Sequence, residues 1–157
     1  MDTLRVHKDE RIALLRGIGL FSGCSDEELR QIRSLQSELE TEQSAILAEQ
    51  GRMGNEFFVI VNGTATVIRN GDPLAHLGPG DFFGELALLD RGPRTATVRA
   101  DMDMRLLVFS HSEFSNLRQY FPGVASKMLA ELGARLRRAN TVFDGTAAVG
   151  DVEVQAS

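Results

Sequence analysis

Glu56-Phe57-Phe58-Val59-Ile60-Val61 and Thr64-Ala65-Thr66-Val67-Ile68-Arg69, joined by Asn62-Gly63, restrict the fold more than any other part of this chain. β-Branched and aromatic residues at that density favour extended backbone, where bulky side chains pack across a pleated surface. Asn and Gly tolerate the positive φ that a two-residue type I′ turn demands, so the pair predicts a hairpin. Asn70-Gly71-Asp72 marks the next reversal and Gly78-Pro79-Gly80-Asp81 a further turn, with Leu74 to Leu77 as a strand between them. Thr95 to Ala100 and Arg105 to Phe109 read as two more strands. Short strands at this spacing predict an antiparallel β-barrel or jelly roll.

A helical period brackets the β region, so the expected class is α+β. Residues 7–16 predict a short charged helix, with Leu4, Ile12 and Leu15 at near-helical spacing. Gly17 and Gly19 break it, and Leu20-Phe21 forms a small apolar anchor. Ser25-Asp26-Glu27-Glu28 is a capping box, opening a helix that carries Leu29, Ile32 and Leu35. Ser110 or Ser112 caps a helix running to about Tyr120. Pro122 starts a longer one over about 122–140, with Val124, Met128, Leu129, Leu132 and Leu136 on one face. The end of the chain is small, polar and unperiodic, which predicts a disordered tail. The expected division is 1–24 as N-terminal helix and anchor, 25–140 as the main domain with its C-terminal helix, and 141–157 as tail.

Composition narrows the function. With 157 residues, 43% of them hydrophobic, the chain suits one well-packed domain. Net charge is −5, from 22 acidic and 17 basic residues, against the basic balance usual for nucleic-acid binding. No apolar run approaches the roughly 20 residues that span a bilayer, and the N-terminus has no apolar signal-peptide core. The single cysteine, Cys24, excludes an internal disulfide, reads as a small structural residue, and fits a reducing cytoplasm. His7, His76 and His111 are far apart in sequence, without the closely spaced pair of a metal-binding β-barrel enzyme. The expectation is a protein that is not an enzyme and holds no metal or cofactor.

The chemistry concentrates between Phe83 and Val98. Gly84 lets backbone approach a ligand closely because it has no Cβ. Glu85-Leu86-Ala87-Leu88-Leu89 reads as one or two helical turns, whose first N–H groups and positive end suit an anion. Arg94 returns to the same place with a planar fork that fits two phosphate oxygens. Glu85, an acceptor when ionised, suits the hydroxyl donors of a sugar.

These residues resemble the phosphate-binding cassette of cyclic nucleotide-binding domains, found in cyclic-nucleotide-dependent kinases, gated channels and catabolite-activator-type regulators. The match runs without a gap from Phe83 to Val98, and a weaker likeness extends from about Leu14 to Leu136. The resemblance implies a jelly roll with flanking helices and a cyclic nucleotide ligand. Backbone groups of Gly84, Leu86, Ala87, Thr95 and Ala96 would surround the phosphate with Arg94, and Glu85 would take the ribose. In the family a hydroxyl at the position of Thr95 can help recognise guanine, yet many cAMP-binding domains carry one, so Thr95 does not decide between the bases; cAMP is expected over cGMP. Val67, Leu74 and Phe82 are candidates to line the base pocket, or they are ordinary core. Aligned from Pro122, Arg135 falls where related channels place a base-contacting arginine, with Leu136 beside it. The alternative for Arg135 is favourable charge near a helix C-terminus. The expected function is a stand-alone cyclic nucleotide sensor, monomer or homodimer, that closes its last helix over the base and signals through a protein effector. It would engage neither nucleic acid nor membrane. The rival is a nucleotide-independent interaction module of the same fold, which would be expected to have lost the Glu or the Arg.

Overall fold

The structure is a computed structural model that describes residues 3–142. Helix α1 (Thr3–Arg16), a single 3-10 turn (Gly19–Phe21) and helix α2 (Asp26–Ser34) precede strands β1 (Ser37–Thr41), β2 (Ile46–Ala48), β3 (Glu56–Asn62), β4 (Ala65–Arg69), β5 (Asp72–Leu77) and β6 (Phe82–Phe83). Helix α3 (Glu85–Leu89), strands β7 (Thr97–Ala100) and β8 (Met104–Ser110), and helices α4 (His111–Tyr120) and α5 (Pro122–Val142) complete the order. The strands form two four-stranded antiparallel sheets, β1-β8-β3-β6 and β2-β7-β4-β5, a jelly roll of two packed sheets rather than a closed barrel.

The predicted Asn62-Gly63 hairpin is corrected by this topology. Both strands exist, but β3 pairs with β8 and β6 while β4 pairs with β5 and β7, so the chain crosses between sheets at Gly63. The reason lies in β3, where Phe57 to Val61 are all buried. Phe57, Val59 and Val61 join a core shared with the helices, whereas Phe58 and Ile60 face the core between the sheets. A strand apolar on both faces needs a layer on each side, and a two-stranded ribbon supplies neither. Among non-glycine residues Asn70 has positive φ and Asn62 does not, so Asn70-Gly71 (φ 52° and 84°) makes the tight turn, with Arg69 opposite Asp72.

Strands β1 and β2 carried no sequence signal. Every residue of Ser37–Thr41 but the last is exposed, so no apolar alternation marks β1; it is an edge held by its ladder to β8 and by Arg105 donating to Glu38 over 2.9 Å. Helix α1 begins at Thr3, four residues ahead of the expected 7–16, while Ser25–Glu28 and Ser110–Glu113 are reciprocal capping boxes, which makes Ser110, not Ser112, the cap of α4. The N-terminal segment shares the main core, since Ile12, Leu15, Ile18 and Phe21 pack with Phe57, Phe109, Phe121 and Met128. Helix α5 runs two residues into the expected tail; the rest of 141–157 lies outside the described residues.

Gly63 and Gly71 separate two costs. Both have positive φ, but a Cβ at Gly71 meets nothing within 4 Å, whereas one at Gly63 would lie 2.8 Å from the Asp103 carbonyl oxygen and from Met104 Cγ. Urea denaturation of Gly71→Ala should therefore show a loss of about 1 kcal/mol from backbone strain alone. Gly63→Ala should lose clearly more, because the neighbouring backbone must also move.

Candidate functional site

Strand β6 pairs with the middle of β3 and delivers the chain to Gly84, whose φ of 95° turns it into α3. Glycine is required there twice over. The backbone is left-handed, and a Cβ would lie 2.6 Å from the Glu56 carbonyl oxygen and 2.7 Å from Arg94 Nη1. No side chain caps α3, so its first turn keeps the donor character of an open helix start.

Arg94 returns to this turn and is 5% exposed. Its Nη1 donates to the Gly84 carbonyl over 3.0 Å and its Nη2 to the Glu56 carbonyl over 2.8 Å. The segment carrying it is stitched to the loop before β3: Arg94 N donates to Arg52 O, Gly51 N donates to Arg94 O, and Met53 bridges Pro93. Burial pulls the arginine pKa down, while the Glu56 and Glu85 charges pull it back. Carbonyl partners orient the guanidinium without neutralising it, which suits it to an anion.

Glu85, the first residue of α3, has no exposed surface. Its Oε1 accepts from Arg135 Nη1 at 3.4 Å, and its Oε2 has no hydrogen-bond partner among the described residues. Burial raises the carboxyl pKa to about 7 against the opposing pull of Arg135, of its own backbone N–H and, less, of Arg94. Arg135, 3% exposed and reaching in from α5, is held on every side. It donates through Nη2 to the Phe82 carbonyl over 2.7 Å and through Nε to Glu131 over 3.3 Å, and its guanidinium stacks 4.5 Å from the Phe82 ring centroid.

The structure thus brings Phe82, Gly84, Glu85, Arg94 and Arg135 together, and of these Arg135 is the one that only the family resemblance points to. Ala87 and Ala96 are buried beside them in the chain, and Leu86 and Thr95 are half-buried. Val67 faces the core between the sheets, while Leu74 on β5 and Leu136 on α5 are each 45% exposed and take no part in holding Glu85 or Arg94. Sequence reasoning missed Glu56, which acts through its main-chain oxygen, and Glu131, which reads as an ordinary surface charge on a helix. Two cavities, of about 340 and 130 Å³, meet at Asp81 and Glu131 beside Arg135, and neither is lined by Glu85 or Arg94. Burial raises the pKa of the half-buried Cys24 thiol, as befits a structural residue. Among the described residues no three potential metal ligands cluster, and no helix is long and apolar enough to cross a membrane.

The jelly roll thus carries a buried acceptor, Glu85, and an oriented guanidinium, Arg94, at one glycine-started turn. Residues 38–121 match the family model of the cyclic nucleotide-binding domain, and the chain belongs to that family. It is 32% identical over 135 residues to the cyclic AMP receptor protein of Thermus thermophilus, covering 83% of this chain and 62% of that protein. It is also 32% identical over 106 residues to the cAMP-dependent protein kinase regulatory subunit of Schizosaccharomyces pombe, covering 67% of this chain and 26% of the relative. The crystal structure of the Thermus thermophilus catabolite activator protein superposes with a TM-score of 0.72 at 33% identity, over 80% of this chain and 61% of that one. The chain therefore spans less than two thirds of the length of these relatives.

Glu85 makes stability depend on pH with a defined sign. Its pKa is raised in the folded protein, so its contribution is fully present below about 4.5, the ordinary value, and is lost as pH rises through about 7. Between pH 6 and pH 8 the wild type should lose about 1 kcal/mol relative to Glu85→Gln, which has no proton to release there. Urea titration of both proteins at the two pH values checks this; parallel stabilities would mean that Glu85 is charged throughout.

Proposed function

We propose that this chain is a regulatory module that binds cAMP in preference to cGMP, does not catalyse a reaction, and passes its state to a protein effector through α5. The observation that carries this reading is the buried Glu85 Oε2, an acceptor with no hydrogen-bond partner among the described residues, one residue from the carbonyl that holds Arg94. A cyclic phosphodiester brings one negative charge to the Arg94 fork and the open start of α3, and its ribose hydroxyl donates to Glu85. The preference for adenine is supported by the cyclic AMP receptor protein and the cAMP-dependent kinase subunit among the relatives.

The part this reading gives to α5 is supported by the same contacts. Glu85 is buried, and Arg135 on α5 donates to it and to the Phe82 carbonyl, so a ligand hydroxyl that donates to the carboxylate changes a contact that α5 makes. Nucleotide moves α5 only by binding one position of the helix better than the other. The same difference in affinity, by linkage, is what an effector touching α5 would read.

Calorimetric titration with cAMP, cGMP and 5′-AMP tests the reading. Cyclic nucleotide should bind with cAMP tightest and 5′-AMP weakest; no binding by a folded protein would favour a nucleotide-independent interaction module. Arg94→Ala should weaken cAMP binding by about 2–5 kcal/mol, roughly 30-fold to several thousandfold. Unchanged affinity in a folded variant would show that the phosphate lies elsewhere. Because the ribose hydroxyl donates to the ionised carboxylate, affinity should also rise with pH through about 7 in the wild type and stay flat in Glu85→Gln.

A further inference from the structure

Gly54, in the loop before β3, lies under the Arg94 side chain. A Cβ built there would sit 1.9 Å from Arg94 Nε, 2.2 Å from Cζ and 2.4 Å from Nη2. Its φ is outside the left-handed region, so the requirement for glycine is one of space alone. On another side of the same guanidinium a Cβ at Gly84 would come within 2.7 Å of Nη1. Arg94 therefore lies in a slot between two glycines, with Gly84 O and Glu56 O as its hydrogen-bond acceptors.

We infer that Gly54 is a positioning residue for Arg94: its missing side chain sets where the guanidinium stands relative to the α3 turn, and so where a phosphate is bound. This rests on the reading of Arg94 as the anion-binding group. A methyl at residue 54 would push the guanidinium out by about 1.5 Å to restore the ordinary 3.4 Å contact, enough to break carbonyl bonds of 3.0 and 2.8 Å. The colliding atoms belong to a flexible side chain, so the arginine rather than the backbone gives way. Ligand affinity then falls, because a two-pronged contact with phosphate oxygens depends on the direction of the fork.

The expected signature is a loss of binding without a matching loss of fold. Gly54→Ala should still fold, with a stability no lower than that of Arg94→Ala, and bind cAMP about tenfold or more weakly. In an Arg94→Ala background the same substitution should change affinity by less than about twofold, since the group it displaces is gone. Wild-type affinity in Gly54→Ala, or fully additive losses in the double variant, would overturn the inference. A readout without nucleotide separates this from the functional reading: the Arg94 Nε–Hε resonance should shift in ligand-free Gly54→Ala. An unshifted resonance overturns the inference, and a shifted one supports it even if the wild type binds no cyclic nucleotide. Should Gly54→Ala fail to fold, refolding on adding Arg94→Ala would support the collision, and an equally unfolded double variant would refute it.

Discussion

A carboxylate sealed from water has to be answered by the protein or by something the protein binds, and Glu85 is answered on one oxygen only. Arg135 meets Oε1 from α5, and Oε2 has no partner among the described residues. Such a group costs free energy, and packing elsewhere keeps it in place: β6 is clamped to β3, Gly84 makes a turn that no other residue fits, and Arg135 is fixed on Phe82 and Glu131. The position of α5 and the state of the Glu85 carboxylate are therefore coupled through one guanidinium. Under the proposed function, that coupling converts a ribose hydroxyl into a movement of a helix.

The same economy appears in β3, the central element of the molecule. Its alternating side chains serve two cores, with Phe57, Val59 and Val61 toward the helices and Phe58 and Ile60 toward the second sheet. Its edge holds β6, and its first carbonyl, at Glu56, holds Arg94. The turn at Gly84 is thus mounted directly on a strand buried on both faces. Rigid support of that kind suits a site that must hold a charged fork to within a fraction of an ångström.

Much of this was legible residue by residue. The capping boxes at Ser25 and Ser110, the helix opened by Pro122, and the strands around Val59, Val67 and Leu107 announce themselves through local chemistry. So does the turn at Gly84 with Glu85 behind it, because glycine, carboxylate and arginine each have few reasons to stand at that spacing. The pairing of β3 was not legible: Asn62-Gly63 and Asn70-Gly71 carry the same turn chemistry, and only Asn70 adopts the positive φ. Strand β1 was hidden because an exposed edge strand needs no apolar pattern, only a ladder. Gly54 was hidden because nothing in its neighbourhood of the chain hints at an arginine forty residues ahead.

By itself, the sequence determined most of the helices and the inner strands, the caps that open α2 and α4, and which side chains could hold a phosphate and a sugar. Those are consequences of φ/ψ preference, capping and functional-group chemistry, all read within a few residues. Tertiary structure alone decided that β3 and β4 belong to different sheets, that Arg94 answers to two main-chain carbonyls, and that Arg135 donates to the buried Glu85. Those outcomes depend on burial of both faces of a strand and on backbone atoms that every residue shares, and so no pattern of side chains along the chain can encode them.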